Sequence, residues 1–142
     1  MLDDSKKTGE KGFKKSKDFV KLLMEWFNIA QDGSHVSVMT YSDSARVQMK
    51  MPKPGTSEPT QTLEELSAKV DGLTYSGGSS SNLEVGLQTA AAQVFPPDDQ
   101  RRRGDAKKVI VIYCVYFALK SRANINHITL FIGEKLNIYC SR

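Results

Sequence analysis

The sequence predicts an α/β protein built around a mostly parallel sheet. Segments with helical periodicity at 13–30, 62–73 and 83–95 alternate with strand-like segments. The longest strand-like segment, 108–117 (KVIVIYCVYF), is apolar and β-branched almost throughout, which is typical of a strand covered on both faces. Strands that alternate with helices favour parallel pairing, with the helices packed on the faces of the sheet.

The bulk composition indicates one soluble globular domain. The chain has 142 residues, of which 39% are hydrophobic and 25% charged, so it is long enough to bury a substantial core. The net charge of +4 permits weak attraction to acidic polymers but does not mark a nucleic-acid-binding protein. No apolar run reaches the roughly 18 residues of a membrane span, and no cleavable signal peptide opens the chain. We therefore expect neither a membrane span nor a nucleic-acid partner.

The segment 13–30 has the clearest helical pattern in the chain. At 100° per residue, one narrow arc is polar and the opposite side is apolar. The polar arc contains Lys14, Lys17, Asp18, Lys21, Glu25 and Asn28, and the apolar side contains Phe19, Val20, Leu23, Trp26, Phe27 and Ala30. The pattern predicts a helix that docks broadly on a sheet, has a solvated lysine face, and ends in a glycine-containing turn at 31–34.

A predicted hairpin and a short predicted helix follow. The segments 35–41 (HVSVMTY) and 45–51 (ARVQMKM) flank a Ser-Asp-Ser turn and read as paired strands at the edge of the sheet. After a proline-marked loop, the segment 62–73 reads as an amphipathic helix capped by Thr60 or Thr62. Its inward face would carry Leu63, Leu66 and Val70.

The stretch 75–95 (YSGGSSSNLEVGLQTAAAQVF) joins a polar loop to another helix. The glycine pair permits a tight turn, and the serines supply hydroxyls and an N-cap at the start of the helix. Hydroxyls and N–H groups gathered at a helix N-terminus suit an anion, a phosphate or a metal-bound carboxylate. The alternative is a well-capped surface loop.

The N-terminus carries a second set of oxygen ligands. Asp3, Asp4 and Ser5 precede the first helix, where they can form a plain N-cap or bind a hard cation such as Mg²⁺. Together with Gly77-Gly78-Ser79-Ser80-Ser81, these residues resemble the metal-binding loops of the von Willebrand factor type A (VWA) family. In that family an Asp-x-Ser-x-Ser loop, a Gly-Gly-Thr loop and a later Asp form a metal-ion-dependent adhesion site (MIDAS). The resemblance covers residues 2–114.

The resemblance implies a Rossmann-like, doubly wound sheet whose ligand site lies at the carboxyl ends of the strands. It also implies an extracellular binding module of the matrilin and collagen VI type. Such a module would bind a protein of the extracellular matrix or the cell surface and would not be an enzyme. The alternatives are a structural VWA fragment without metal-dependent binding and an intracellular VWA-type scaffold. The two histidines, His35 and His127, lie in strand-like segments without a partnered nucleophile, so they do not suggest catalysis.

Three departures from the family pattern predict an incomplete domain and a degenerate site. Only Met1 and Leu2 precede Asp3, so we expect either that the first, central strand is missing or that the chain is a fragment of a longer protein. Lys7 stands where the second serine ligand belongs, and Val115 stands where the third-loop aspartate belongs. The resemblance therefore carries over Asp3, Ser5 and Ser79 as ligands for Mg²⁺ or Mn²⁺ in a weakened site, with Asp4 as a candidate extra ligand.

The remaining features lie in the C-terminal part of the chain. We expect a partial VWA domain at 1–119 and a divergent tail at 120–142 that lacks the C-terminal elements of the family, although HITLFI and LNIYC in the tail read as strands. The tripeptide Arg103-Gly104-Asp105 matches an integrin-binding sequence, and the alternative is a solvated basic loop. Cys114 and Cys140 have no metal-type spacing and read as buried thiols, with a disulfide left open.

Overall fold

The computed structural model describes residues 1–52, 60–96, 109–115, 126–132 and 139–140, with the side chains of residues 114–115, 126–132 and 139–140 left out. The described strands are β1 (Leu2–Asp3), β2 (Val38–Tyr41), β3 (Ala45–Met49), β4 (Val109–Val115), β5 (Asn126–Ile132) and β6 (Tyr139–Cys140). The described helices are α1 (Gly9–Glu25), α2 (Leu63–Asp71) and α3 (Leu83–Thr89), and α3 continues into a π-helical turn at Ala90–Val94.

These strands form one mixed sheet in the order β3-β2-β1-β4-β5-β6. The three central strands β2, β1 and β4 are parallel, whereas β3 pairs antiparallel with β2, and β5 and β6 add antiparallel strands beyond β4. The expected hairpin therefore sits at one edge, and both strands expected in the tail are confirmed. The division into 1–119 and 120–142 stays a prediction.

The central strand is present as the two-residue strand β1 rather than missing. Leu2 pairs with Thr40 of β2 on one side and with Tyr113 of β4 on the other. The side chain of Leu2 is completely buried, and the terminal ammonium of Met1 donates a hydrogen bond to the carbonyl of Val111 at 2.6 Å. The expected loss of this strand was wrong, because two residues suffice to form hydrogen bonds with both neighbouring strands.

Helices cover both faces of the sheet, which confirms the α/β, Rossmann-like class. On one face, Leu2 and Val38 pack with Phe13 and Met24 of α1 and with Leu66 and Val70 of α2. On the other face, Met39 packs with Ala90 and Val94 of the turn after α3, and Tyr41 and Ile112 pack with partly buried leucines of α3. The core is thus two apolar layers separated by the sheet.

Helix α1 differs from its prediction in both its limits and its buried face. It spans Gly9–Glu25 rather than 13–30, and its last turn closes with hydrogen bonds from the Trp26 N–H to the Leu23 carbonyl and from the Phe27 N–H to the Met24 carbonyl. Trp26 is 77% exposed and Phe27 43% exposed, although both were expected to face the core. The prediction was wrong there because both residues follow the last helical turn, so the helical wheel no longer describes their direction. The buried stripe contains Gly12, Phe13, Ser16 and Met24.

Two lysines of the expected solvated face tie α1 to α2. The Lys17 ammonium donates to the carbonyls of Asp71 and Leu73, and the Lys21 ammonium contacts the Asp71 carboxylate at 2.6 Å. Helix α2 begins at its expected threonine cap, since the Thr62 hydroxyl accepts from the Glu65 N–H, and it buries Leu66 and Val70 as predicted. Leu63, expected inside, is 38% exposed.

Some sequence-based expectations fall on parts of the chain that the structure leaves out. The tripeptide Arg103-Gly104-Asp105 lies outside the described residues, and the side chains of Cys114 and Cys140 are not described. Within the described ranges, no helix is both long and apolar enough to cross a membrane.

Candidate functional site

Three loops meet at the carboxyl end of the central strand. Asp3 is the last residue of β1, and the chain then turns through 4–8 into α1. The turn 42–44 follows β2, and the loop 75–82 leads into α3. Because β1 and β2 are parallel neighbours, their carboxyl ends meet at one edge of the sheet, which is where ligands bind in open α/β sheets.

Asp3 links the first loop to the loop before α3. Asp3 is only 4% exposed, and its Oδ1 accepts a hydrogen bond from the Ser5 N–H at 2.9 Å. Its other oxygen, Oδ2, accepts from the Ser81 hydroxyl at 2.6 Å. The two hydrogen bonds fix the carboxylate between the loops, and among the described residues no lysine or arginine forms an ion pair with it.

Backbone hydrogen bonds hold these two loops against each other. The Lys6 N–H donates to the Gly78 carbonyl at 2.7 Å, and the Gly77 N–H donates to the Asp4 carbonyl at 3.0 Å. Gly77 has φ = +67°, a conformation that strains any residue with a Cβ. A Cβ on Gly78 would collide with the Ser42 side chain, so the glycine pair permits both the turn and the close approach of the loops.

Two oxygen atoms of the first loop are buried without a hydrogen-bond partner among the described residues. They are Oδ1 of Asp4 and Oγ of Ser5. The other Asp4 oxygen accepts from the Ser76 hydroxyl at 2.7 Å. Because an unsatisfied buried polar atom costs free energy, the Ser5 hydroxyl beside the Asp3 carboxylate indicates a place for a further polar group, such as an ion or a water.

Asp43, in the turn after β2, belongs to this cluster, although the sequence analysis did not identify it. Its carboxylate accepts four hydrogen bonds of 2.6–2.9 Å, from the N–H and hydroxyl groups of Ser79 and Ser80. These bonds, led by that of the Ser79 hydroxyl, hold the pKa of the Asp43 carboxyl well below its usual range. The sequence feature that could have identified Asp43 is its place in the turn after a predicted strand. That turn lies at the edge of the sheet where the other two loops meet.

Of the three ligands implied by the family resemblance, the structure places Asp3 and Ser5 in contact, whereas the Ser79 hydroxyl contacts a different carboxylate. The Ser79 hydroxyl donates to Asp43, and the Ser81 hydroxyl is the one that contacts Asp3. Lys7, at the second serine position, is exposed, and Val115, at the third-loop position, ends β4. In the part of the chain that the structure describes, no three Asp, Glu, His or Cys side chains are grouped so that they could hold a metal ion.

The loop geometry agrees with what a comparison with known families shows. The family model for the von Willebrand factor type A domain matches residues 1–114. The chain belongs to the VWA family. VWA domains are generally protein-interaction or adhesion modules, so the loop edge around Asp3 is the candidate site of this VWA domain.

Individual relatives agree with this assignment. The von Willebrand factor of Rattus norvegicus is 28% identical over 102 residues, which are 72% of this chain and 22% of that relative. Among solved structures, proximal thread matrix protein 1 from the mussel byssus matches with a TM-score of 0.56 and 20% identity, over 67% of this chain and 23% of that one. The chain therefore spans about a quarter or less of the length of these relatives.

A further structure of the byssus protein is described as having a zinc-occupied MIDAS motif. It matches with a TM-score of 0.56 and 22% identity, over 69% of this chain and 24% of that one. At this identity the likeness shows the fold alone.

Proposed function

We propose that this VWA domain is a protein-binding module of the extracellular adhesion type that uses the loop edge around Asp3 and carries a weakened cation site. The observation that supports this most directly is the pair of hydrogen bonds made by the Asp3 carboxylate at the end of the central strand. They link the first loop to Ser81 in the loop before α3. The domain retains the arrangement of a VWA binding edge, because backbone hydrogen bonds between the loops keep it in place. We infer a binding role rather than catalysis.

The described oxygen atoms fit a divalent ion in part. The first loop offers the Asp3 carboxylate and the buried Ser5 hydroxyl, which has no hydrogen-bond partner in the described part of the chain, and both are ligand types that Mg²⁺ and Mn²⁺ accept. In the second loop, Ser81 is placed better than Ser79, because its hydroxyl already contacts Asp3. One carboxylate and two hydroxyls make a weak set for a hard divalent ion, so we propose low affinity with Ser81 as the second-loop ligand.

The extracellular setting is proposed from the relatives. One is von Willebrand factor, and another is a matrix protein of the mussel byssus. We propose a partner in the extracellular matrix or on a cell surface. In a module of this kind, a bound cation would leave a coordination position for an acidic side chain of the partner.

The test is a solid-phase binding assay on a panel of purified extracellular-matrix proteins. The wild-type chain should bind at least one of them saturably, and Asp3→Asn should bind that protein more weakly by roughly tenfold or more, because Asn removes the charge while keeping the size. Glu25→Gln, at the far end of α1, is the matched control and should bind like the wild type. Equal binding by all three chains would contradict the proposed edge.

The main alternative is a VWA domain that binds or packs without metal. It is favoured by the hydrogen bonds that already occupy both Asp3 oxygens and the Asp43 carboxylate. A thermal melt in EDTA and in excess Mg²⁺ or Mn²⁺ separates the two, since a ligand at about 100 times its Kd adds roughly 2.7 kcal/mol. A metal-dependent rise in Tm that Asp3→Asn removes supports the cation site, whereas identical melts support the alternative.

A further inference from the structure

The lysines of α1 and of the turn before it fall into two groups. Lys17 and Lys21 reach α2, where the Lys17 ammonium donates to the carbonyls of Asp71 and Leu73 and the Lys21 ammonium contacts the Asp71 carboxylate. The members of the second group are all exposed to solvent. We call this second group the lysine cluster, and it comprises Lys6, Lys7, Lys11, Lys14 and Lys15.

The ammonium groups of the lysine cluster have no hydrogen-bond or ion-pair partner among the described residues. The acidic side chain that follows the cluster along the helix, Asp18, lies 3.6 Å from Lys21 and is therefore paired with a lysine outside the cluster. Glu10 is exposed within the cluster and opposes it with a single negative charge. The surface therefore carries five positive charges against one.

The fold places these charges on one continuous surface. Lys11, Lys14 and Lys15 lie within about 100° of one another around the axis of α1, because successive helical residues are rotated by about 100°. Lys6 and Lys7 extend the surface toward the loop edge, since they lie in the turn that joins β1 to α1. The apolar side chain between the helical members is buried in the core, so it does not interrupt the positive surface.

The composition of the lysine cluster favours one class of anionic partner. The centre of a folded protein interface is enriched in aromatic side chains and depleted in lysine. Surfaces that bind nucleic acids add arginine or aromatic side chains, and surfaces that bind membranes add apolar side chains that enter the lipid. The cluster has lysine alone, and each lysine is a strongly hydrated point charge on a flexible stem. Such a surface suits a linear, well-hydrated polyanion.

We propose that the lysine cluster is a binding surface for a linear sulfated polysaccharide. Sulfate groups spaced along the polymer accept charge-assisted hydrogen bonds from the exposed ammonium groups. The polymer crosses the first turns of α1 and passes the loop edge at Lys6. Its negative charge follows from the lysines themselves, whereas its source in the extracellular matrix rests on the proposed function.

The probe is a fluorescein-labelled heparin oligosaccharide, titrated with the full chain and followed by fluorescence anisotropy. Binding should be saturable, and its Kd should rise steeply with NaCl concentration, because salt screens interactions between exposed charges. The same oligosaccharide after chemical desulfation should bind at least about tenfold more weakly. An absence of saturable heparin binding would overturn the proposal, as would equal binding of the desulfated oligosaccharide.

Two variants of equal net charge locate the binding. The cluster variant carries Lys11→Gln, Lys14→Gln and Lys15→Gln. The control variant removes three exposed positive charges elsewhere, and it carries Arg46→Gln, Lys50→Gln and Lys69→Gln. The cluster variant should bind heparin at least about tenfold more weakly and with a shallower salt dependence, whereas the control variant should keep most of the wild-type affinity.

The helix should survive these changes, because glutamine has nearly the helix propensity of lysine, and an unchanged Tm of both variants checks this. Wild-type heparin binding by the cluster variant, or an equal loss in the control variant, would overturn the assignment to the lysine cluster.

Other anionic partners are tested in the same titration. A duplex DNA oligonucleotide and vesicles containing phosphatidylserine are compared with heparin at equal concentrations of anionic groups. Tighter binding of either one would overturn the choice of a sulfated polysaccharide.

Asp3→Asn separates this surface from the loop edge. It should bind heparin like the wild type, because the lysine cluster does not include Asp3. The proposed function is tested with protein ligands, so its failure would leave the heparin result unchanged. A loss of heparin binding in Asp3→Asn but not in the cluster variant would place the anion at the loop edge and overturn the present proposal.

Discussion

Asp43 orders the serine loop through one carboxylate. All four of its donors belong to Ser79 and Ser80, so the loop conformation before α3 depends on a residue from the turn after β2. Asp43→Ala should leave those donors to water and increase hydrogen exchange at the Ser79 and Ser80 amides, with a lower Tm. Glu25→Ala, an exposed carboxylate at the end of α1, should change neither. Unaltered exchange at both serine amides in Asp43→Ala would contradict this role.

Gly77 tests the backbone of the same loop. At φ = +67° an added methyl group is strained, and it would also meet the Tyr75 ring at 3.3 Å. Gly77→Ala should therefore lower the free energy of unfolding by about 1–2 kcal/mol in urea denaturation. Gly72→Ala is the matched substitution, since Gly72 has φ = −73° and its nearest new contact would be an ordinary 3.5 Å. It should be neutral or stabilise by up to about 1 kcal/mol, and similar losses in both variants would refute the strain argument.

At the scale of elements, α1 shows where helical periodicity stops being informative. The pattern identifies the helix and its docking on the sheet, but it assigned Trp26 to the core although the helix ends at Glu25. Phe13→Ala should reduce the free energy of unfolding by about 3–5 kcal/mol, because Phe13 is 2% exposed within the core. Trp26→Ala should stay within about 0.5 kcal/mol. A larger loss for Trp26→Ala than for Phe13→Ala in urea denaturation would mean that the sequence-based assignment of Trp26 to the core was right.

The start of α3, directly after the loop 75–82, shows a second limit of reading sequence patterns. The serine run was expected to cap α3, but the cap is the Asn82 side chain, which accepts from the Val85 N–H at 3.2 Å. The serines instead bind Asp3 and Asp43, because those carboxylates lie within reach only once the strands are assembled. Local propensity identifies the helix, while tertiary contacts decide which carboxylate accepts a hydrogen bond from each serine hydroxyl.

For the whole molecule, the α/β class and the parallel centre follow from the alternation of elements and from the apolar run that forms β4. The position of Asp3 at the carboxyl edge of the sheet could also be anticipated, since the family motif implies it. The pairing of a two-residue β1 on both sides could not, because two residues carry no periodicity and their burial depends on β2 and β4. The contact of Ser81 rather than Ser79 with Asp3 likewise depends on the folded geometry of Gly77 and Gly78.

The central claim is that the loop edge around Asp3 retains a weak cation site within a VWA domain. The most direct measurement is paramagnetic line broadening of the amide resonances during a Mn²⁺ titration of the full chain. The account predicts selective broadening at Ser5, Lys6, Gly78 and Ser81, reversed by EDTA and absent in Asp3→Asn. Broadening confined to other acidic surface residues, or unchanged in Asp3→Asn, would contradict it.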